Sequence, residues 1–207
     1  MNILREINTN PWLNWYKHSK DMVVLSDPYN NIFYAPIPKN AHSNGQKYFQ
    51  KLGFKIYYCD NFSDLENKHL IIFLREPIDR WLAGFCQDTY FTNRNYDFED
   101  TQVLDEIFGN LGSGLHTFLQ TSFLKYSSNQ ITYINVDKNL TYNLNIFTKR
   151  FLYRPVSYDL RPGSNYDYKM KDKISNIVHN TPKYKNLLEK YLAPDIELYN
   201  SVKFYTG

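Results

Sequence analysis

The stretch Asn31-Ile32-Phe33-Tyr34-Ala35-Pro36-Ile37-Pro38-Lys39-Asn40-Ala41-His42-Ser43-Asn44-Gly45-Gln46-Lys47-Tyr48-Phe49 decides how this chain folds. Ile32 to Ile37 are apolar or aromatic and read as a buried strand. Pro36 and Pro38 keep the backbone extended as it leaves the sheet. A tight loop carrying Lys39 follows, and then the first turns of a helix, with Ser43 or Asn44 as the expected N-cap. A helix start gathers unpaired N–H groups and the positive end of the helix dipole, so it suits an anion. Lys39 adds a full positive charge at the mouth of the loop. The G-x-x-x-x-G-K-[ST] signature of nucleoside-triphosphate loops is absent, because here the lysine precedes the loop residues. By itself the stretch is also compatible with a strand–turn–helix that happens to carry a surface lysine.

A second stretch has the same construction. His69-Leu70-Ile71-Ile72-Phe73-Leu74 reads as a buried strand, and Arg75-Glu76-Pro77-Ile78-Asp79-Arg80-Trp81-Leu82-Ala83-Gly84-Phe85 carries it into a helix. Pro77 falls where a first helical turn tolerates proline. Arg75 closes the strand and Arg80 follows one turn later, so the two guanidiniums are expected to converge at the carboxyl end of the sheet. Two such forks at one point fit a phosphate monoester.

Taken together, the two junctions resemble a known family. The order Pro38-Lys39-x-x-x-Ser43 resembles the 5′-phosphosulfate loop of sulfotransferases that use 3′-phosphoadenosine 5′-phosphosulfate (PAPS). Residues 75–85 resemble the R-x-P-x-x-R-x-x-S 3′-phosphate motif of the same family, nearest to its carbohydrate-modifying branch. The resemblance implies a three-layer, P-loop-like α/β domain that moves a sulfuryl group from PAPS to a hydroxyl of a carbohydrate or other polar acceptor. It assigns Lys39, Asn40, Ala41, His42, Ser43 and Asn44 to the phosphosulfate, and Arg75 and Arg80 to the 3′-phosphate. Arg161, with Gly163 in the proline-containing stretch 154–168, corresponds to a loop that closes over the 3′-phosphate. Lys39 would stabilise the leaving oxygen as the S–O bond breaks, and nothing in that chemistry calls for a metal. Two departures stand out. Ala83 replaces the motif's serine, and His42 and Asn44 replace the small or hydroxyl residues usual in the first loop.

The acceptor's proton needs a base. The resemblance points to Asp60, at the end of Tyr58-Cys59-Asp60. His42 and His116 compete with it because histidine titrates near neutrality, and Asp64 is a further rival. His116 opens His116-Thr117-Phe118-Leu119-Gln120, which resembles the family's H-W-x-P-Q segment without its tryptophan and proline. Two other readings stay open: a nucleotide-binding module that no longer transfers, and a kinase with a diverged loop.

Composition sets the bounds. The length of 207 residues fits a single domain spanning residues 1–207, and 43% hydrophobic against 22% charged residues indicates a globular chain. A net charge of +3 is too small for a nucleic-acid surface, yet leaves room for a local anion site. The two cysteines, Cys59 and Cys86, fit no metal spacing and are expected to be reduced. Met1 to Lys20 lacks the apolar core of a signal peptide, and no apolar run approaches a membrane span, so a soluble, cytoplasmic protein is expected.

Apolar runs predict further elements. Met22 to Leu25 is expected as an edge strand in a hairpin with 32–37, and Phe54 to Cys59 and Ile131 to Val136 as strands. Helices are expected over 44–52, 77–88, 98–108 and 142–152, and over 183–192 and 195–204, the last two separated by Pro194. This order implies a mostly parallel central sheet flanked by helices. Lysines 169, 171, 173, 183 and 185 form a basic stretch that reads first as a solvated face.

Overall fold

The computed structural model describes residues 22–29, 31–59, 65–114, 116–124, 130–152 and 168–207. Five strands form one sheet: β1 (Met22–Ser26), β2 (Ile32–Ala35), β3 (Lys55–Cys59), β4 (His69–Leu74) and β5 (Gln130–Asn135). Among the described residues there are also α1 (His42–Lys51), α2 (Pro77–Phe91), α3 (Thr101–Gly109), α4 (Leu140–Leu152), α5 (Tyr168–Asn180) and α6 (Pro182–Ser201), and a 3-10 turn at Gln120–Phe123. None of the described helices is long and apolar enough to cross a membrane.

The sheet is open and mixed, in the order β3-β1-β2-β4-β5. β2 pairs with β4 and β4 with β5 in parallel, whereas β1 pairs antiparallel with both β2 and β3. The expected β1–β2 hairpin forms, but β1 is an interior strand and not an edge. Its turn is closed by Asp27, whose Oδ1 accepts the amides of Asn31 at 2.7 Å and Ile32 at 3.0 Å. The other edge of β1 is taken by β3, whose short sequence gives no sign of its partner. After His69, β4 is apolar from Leu70 to Leu74 because those residues are buried on both faces between two parallel neighbours.

The chain divides into two compact units. The first comprises residues 1–74, 125–162 and 203–207 and holds the entire sheet. One sheet face contributes Leu25, Tyr34, Ile71, Phe73 and Ile134 to a core completed by Tyr48 and Phe49 of α1 and Leu144 and Phe147 of α4. Tyr34 stacks on Phe49 with centroids 4.6 Å apart, and each such fully buried side chain contributes about 1.5–3 kcal/mol. α1 stops at Lys51 and Gly53 closes it, near where its sequence predicts the end. Gly53 takes φ 88°, its amide donates to Gln50, and the Phe54 amide reaches back to the Phe49 carbonyl. That is a Schellman ending, sealed by the Phe49–Phe54 ring contact at 4.9 Å.

The second unit comprises residues 75–124 and 163–202. Its core joins Trp81, Leu82 and Phe85 of α2, Leu104, Ile107 and Phe108 of α3, Ile174 and Val178 of α5, and Tyr184, Leu188 and Leu192 of α6. The expected break at Pro194 does not occur, since α6 runs continuously from Pro182 to Ser201 with the proline inside it. An interior proline costs about 3 kcal/mol. Here Leu188, Leu192 and Asp195 are all fully buried on the same helix face, on both sides of the proline. Their packing outweighs the lost bond. The basic stretch is partly structural: Lys183 pairs with Asp105 at 2.5 Å, and Lys171 with Asp79.

Candidate functional site

The loop between β2 and α1 is built tightly. Lys39 and Ala41 both take the left-handed conformation, at φ 67° and 54°, which costs an L-residue about 1–2 kcal/mol. Asn40 between them is fully buried and donates its side-chain amide to the Phe73 carbonyl on β4 at 2.7 Å. Its backbone N–H closes a turn onto Ile37 at 3.1 Å. The strained pair is therefore held by a buried hydrogen bond, as expected of a loop shaped for a purpose other than stability.

α1 begins at His42, two residues earlier than a Ser43 cap and three earlier than an Asn44 cap would allow. Its N-cap is Ala41, and no side chain among the described residues caps it. A helix start is a place that favours an anion. His42 and Ser43 bond to each other, Nε2 to Oγ at 3.1 Å. Gly45 lies directly against β2: a Cβ there would stand 2.6 Å from Tyr34 Cζ and 2.9 Å from Phe73 Cε2. The Tyr34 hydroxyl is buried at this contact without a hydrogen-bond partner among the described residues. Burial pushes its pKa far above the ordinary tyrosine value, which excludes it as a base.

The second junction has the opposite character. Glu76 is the N-cap of α2, and its carboxylate accepts the amides of Ile78 at 3.1 Å and Asp79 at 2.6 Å. This helix start carries its own anion. Gln120 clamps the backbone of Arg75 from both sides, accepting its N–H at 3.1 Å and donating to its carbonyl at 3.0 Å. The Arg75 guanidinium grips Asp79 through Nε and Nη2, both at 2.6 Å, and Lys171 reaches the other oxygen of the same carboxylate. Burial raises the Asp79 pKa, but the Arg75 and Lys171 charges and their hydrogen bonds outweigh it and hold the group below the usual carboxylate range. A groove of about 330 Å³ lies beside this cluster, lined by Glu76, Asp79, Lys171, Asp172, Ser175 and His179 among others.

Arg80 does not join Arg75 in presenting a guanidinium at a shared point. It is fully buried inside the second unit, with Nη1 donating to the Phe118 carbonyl at 2.5 Å and the guanidinium over the Phe123 ring at 5.9 Å. Desolvation pulls its pKa down to about 10 despite the nearby Asp195 carboxylate. One helical turn after the strand end, the side chain points into the helix-packed core. Ala83, where the motif has serine, is buried as well.

Of the proposed bases, His116 is in the second unit and its Nδ1 stands 2.5 Å from Asp88 Oδ1. Asp60, Asp64 and Arg161 lie outside the described residues. Among the described residues no three His, Cys, Asp or Glu side chains group closely enough to hold a metal ion. Sequence reasoning missed Asp79, Lys171 and Asp88. The four-residue spacing of Arg75 and Asp79 at a helix start was a usable signal. Lys171 and the Asp88–His116 pair join residues far apart in the chain and left no such trace. No protein-family model, curated protein or solved structure matches this chain.

Proposed function

We propose that the chain is a PAPS-dependent sulfotransferase acting on a hydroxyl of a carbohydrate or similar polar acceptor, on a P-loop-like α/β domain whose sheet is mixed and not mostly parallel. The observation that carries the reading is the loop 38–42. There Lys39 and Ala41 are held left-handed around a buried Asn40, in front of a helix start with no side-chain cap. An anion of the size and charge of a phosphosulfate suits that arrangement.

In this reading Lys39 neutralises the charge that develops on the leaving phosphate oxygen, and the first amides of α1 orient the anion. Arg75, which belongs to the second unit, is given the 3′-phosphate by the resemblance. Its guanidinium is pre-oriented by Asp79, and its backbone is fixed by Gln120. Arg80 serves the packing of the second unit. The donor supplies the sulfuryl group, and the protein supplies position and charge. A soluble, cytoplasmic setting is part of the same proposal.

A second reading, a module that binds the nucleotide without transferring, is favoured by two observations. Ala83 gives the second motif no hydroxyl, and Asp79 already occupies Arg75. Isothermal titration with 3′-phosphoadenosine 5′-phosphate (PAP), followed by transfer assays with sulfur-labelled PAPS over an acceptor panel, separates the two. Binding lost in Lys39→Ala together with label transfer supports the transferase. Binding without transfer supports the module. No binding by the wild type would remove both.

A further inference from the structure

Charge is divided unevenly between the two units. Among the described residues of the first unit, nine lysines and arginines stand against three acids; in the second, nine stand against twelve. One run of the first unit shows this most clearly. From Pro28 to Cys59 the chain carries Lys39, Lys47, Lys51 and Lys55 and no aspartate or glutamate. The modest net charge of the whole chain, +3, hides the segregation.

Two helices of that unit, α1 and α4, pack on the same sheet core. Neither contains an acidic residue. They are neighbours: Tyr48 of α1 donates to Asn145 Oδ1 of α4 at 2.9 Å, and its hydroxyl lies 2.9 Å from Thr148 Oγ1. Gly45, Tyr48 and Phe49 face the core, so Ser43, Lys47 and Lys51, recurring every fourth residue, form an exposed outer stripe on α1. Lys149 and Arg150, next to Thr148 in the chain, are exposed on α4. Cations near a helix C-terminus offset its dipole, which accounts in part for Lys51, Lys149 and Arg150. The dipole does not account for Lys47, nor for two first turns without an acid. A surface that serves solubility alone interleaves both signs, as α6 does where Lys185 faces Glu189 at 3.9 Å.

We propose that this helix layer, with Lys47, Lys51, Lys149 and Arg150, is a docking surface for an acidic polysaccharide. The cations attract its carboxylates or sulfates, and Gln46 and Gln50 beside them offer amides to its hydroxyls. Spacing separates this partner from nucleic acid. Lys47 and Lys51 rise about 6 Å apart along α1, whereas a nucleic-acid duplex presents one charge per about 1.7 Å of its axis. A chain whose charges are set apart by sugar rings matches the sparser row. Single strands bind by stacking bases on open rings. Phe151 of α4 is already stacked on Phe147 at 4.7 Å, with the Arg150 guanidinium 5.6 Å from its centroid. The surface uses no residue of the loop 38–42 and stands apart from the transferase reading.

Fluorescence anisotropy with labelled heparin and chondroitin sulfate oligosaccharides tests this on the full chain. The wild type should bind both at low salt and lose affinity as salt rises. The double variant Lys47→Gln with Lys149→Gln should bind about 10-fold more weakly, and the slope of log Kd against log salt should fall by roughly two, one for each cation removed. Both side chains are exposed, so its Tm should match the wild type. Lys173→Gln with Lys190→Gln, which removes two exposed lysines of the second unit, should leave binding unchanged. No binding by the wild type, or equal losses in the two double variants, would overturn the surface. A DNA duplex bound more tightly than heparin would overturn the polysaccharide and give the surface to nucleic acid.

Discussion

The Asn40 amide donates to the Phe73 carbonyl at 2.7 Å, in a place with no access to water. This one bond ties the loop after β2 to the neighbouring strand β4 and holds the two left-handed residues on either side of it. Asn40→Ala should therefore cost about 1–3 kcal/mol, because the carbonyl loses a buried partner. Urea denaturation measures this directly. An unchanged midpoint would mean that the loop is held by other contacts.

Gly45→Ala sets two effects against each other. Alanine is the better helix former by about 1 kcal/mol. The added methyl, however, would stand 2.6 Å from Tyr34 Cζ and 2.9 Å from Phe73 Cε2, both rings being locked in the core. Overpacking of that kind costs about 1–3 kcal/mol, so the net expectation is destabilisation, read as a lower Tm. A higher Tm would show that the core yields more easily than its ring packing indicates.

The two arginines of the second junction should separate cleanly. Arg80→Ala removes a buried guanidinium from Phe118 and from the neighbouring Asp195, and should cost about 3–5 kcal/mol. Arg75→Ala breaks a partly exposed pair and should change stability by less than about 1 kcal/mol. It should nevertheless abolish the rise in Tm produced by PAP. Equal stability losses in the two variants would contradict this division of roles.

Asp79 makes stability depend on pH with a definite sign. Its pKa is lower folded than unfolded, so its contribution is complete above the unfolded value and disappears as pH falls through the folded one. The group is partly exposed, so solvent screening keeps the contribution small. Denaturation midpoints of the wild type and Asp79→Asn should differ near neutrality and converge in acid. A gap that stays constant down to low pH would assign the effect to something other than this charge.

Asp195 supports the 3-10 turn from the far side of the proline in α6. Its carboxylate accepts the Gln120 amide at 2.7 Å, the Thr121 amide at 2.9 Å and the Thr121 hydroxyl at 3.0 Å. Asp195→Ala should leave the buried Gln120 amide and the half-buried Thr121 donors unmet and cost about 3 kcal/mol. Loosening of the turn would also free Gln120, and with it the backbone of Arg75. The check is hydrogen exchange at Thr121, which should accelerate.

Much of the local structure was legible because local chemistry specifies it. Ile32 to Ala35 and His69 to Leu74 are too apolar to be anything but buried strands, and Gly53 could only end a helix. Pro77 and Glu76 mark a helix start that one turn of sequence contains entirely. The reading failed where distant residues decided. β1 became interior because β3 paired with its free edge. Pro194 was absorbed because Leu188, Leu192 and Asp195 bury on both sides of it. Arg80 turned inward because the core of its unit lay on that side of the helix.

By itself the sequence determined an α/β chain with a lysine loop and an arginine turn, each at the end of an apolar strand, because strands, caps and turns are set by residues within a few positions of one another. Tertiary structure alone decided that Asn40 would lock the first loop to β4, that Lys171 would share Asp79 with Arg75, and that Asp88 would orient His116. Those pairs join residues 28 to 92 positions apart, and hydrogen bonds over such separations depend on packing that no local pattern encodes.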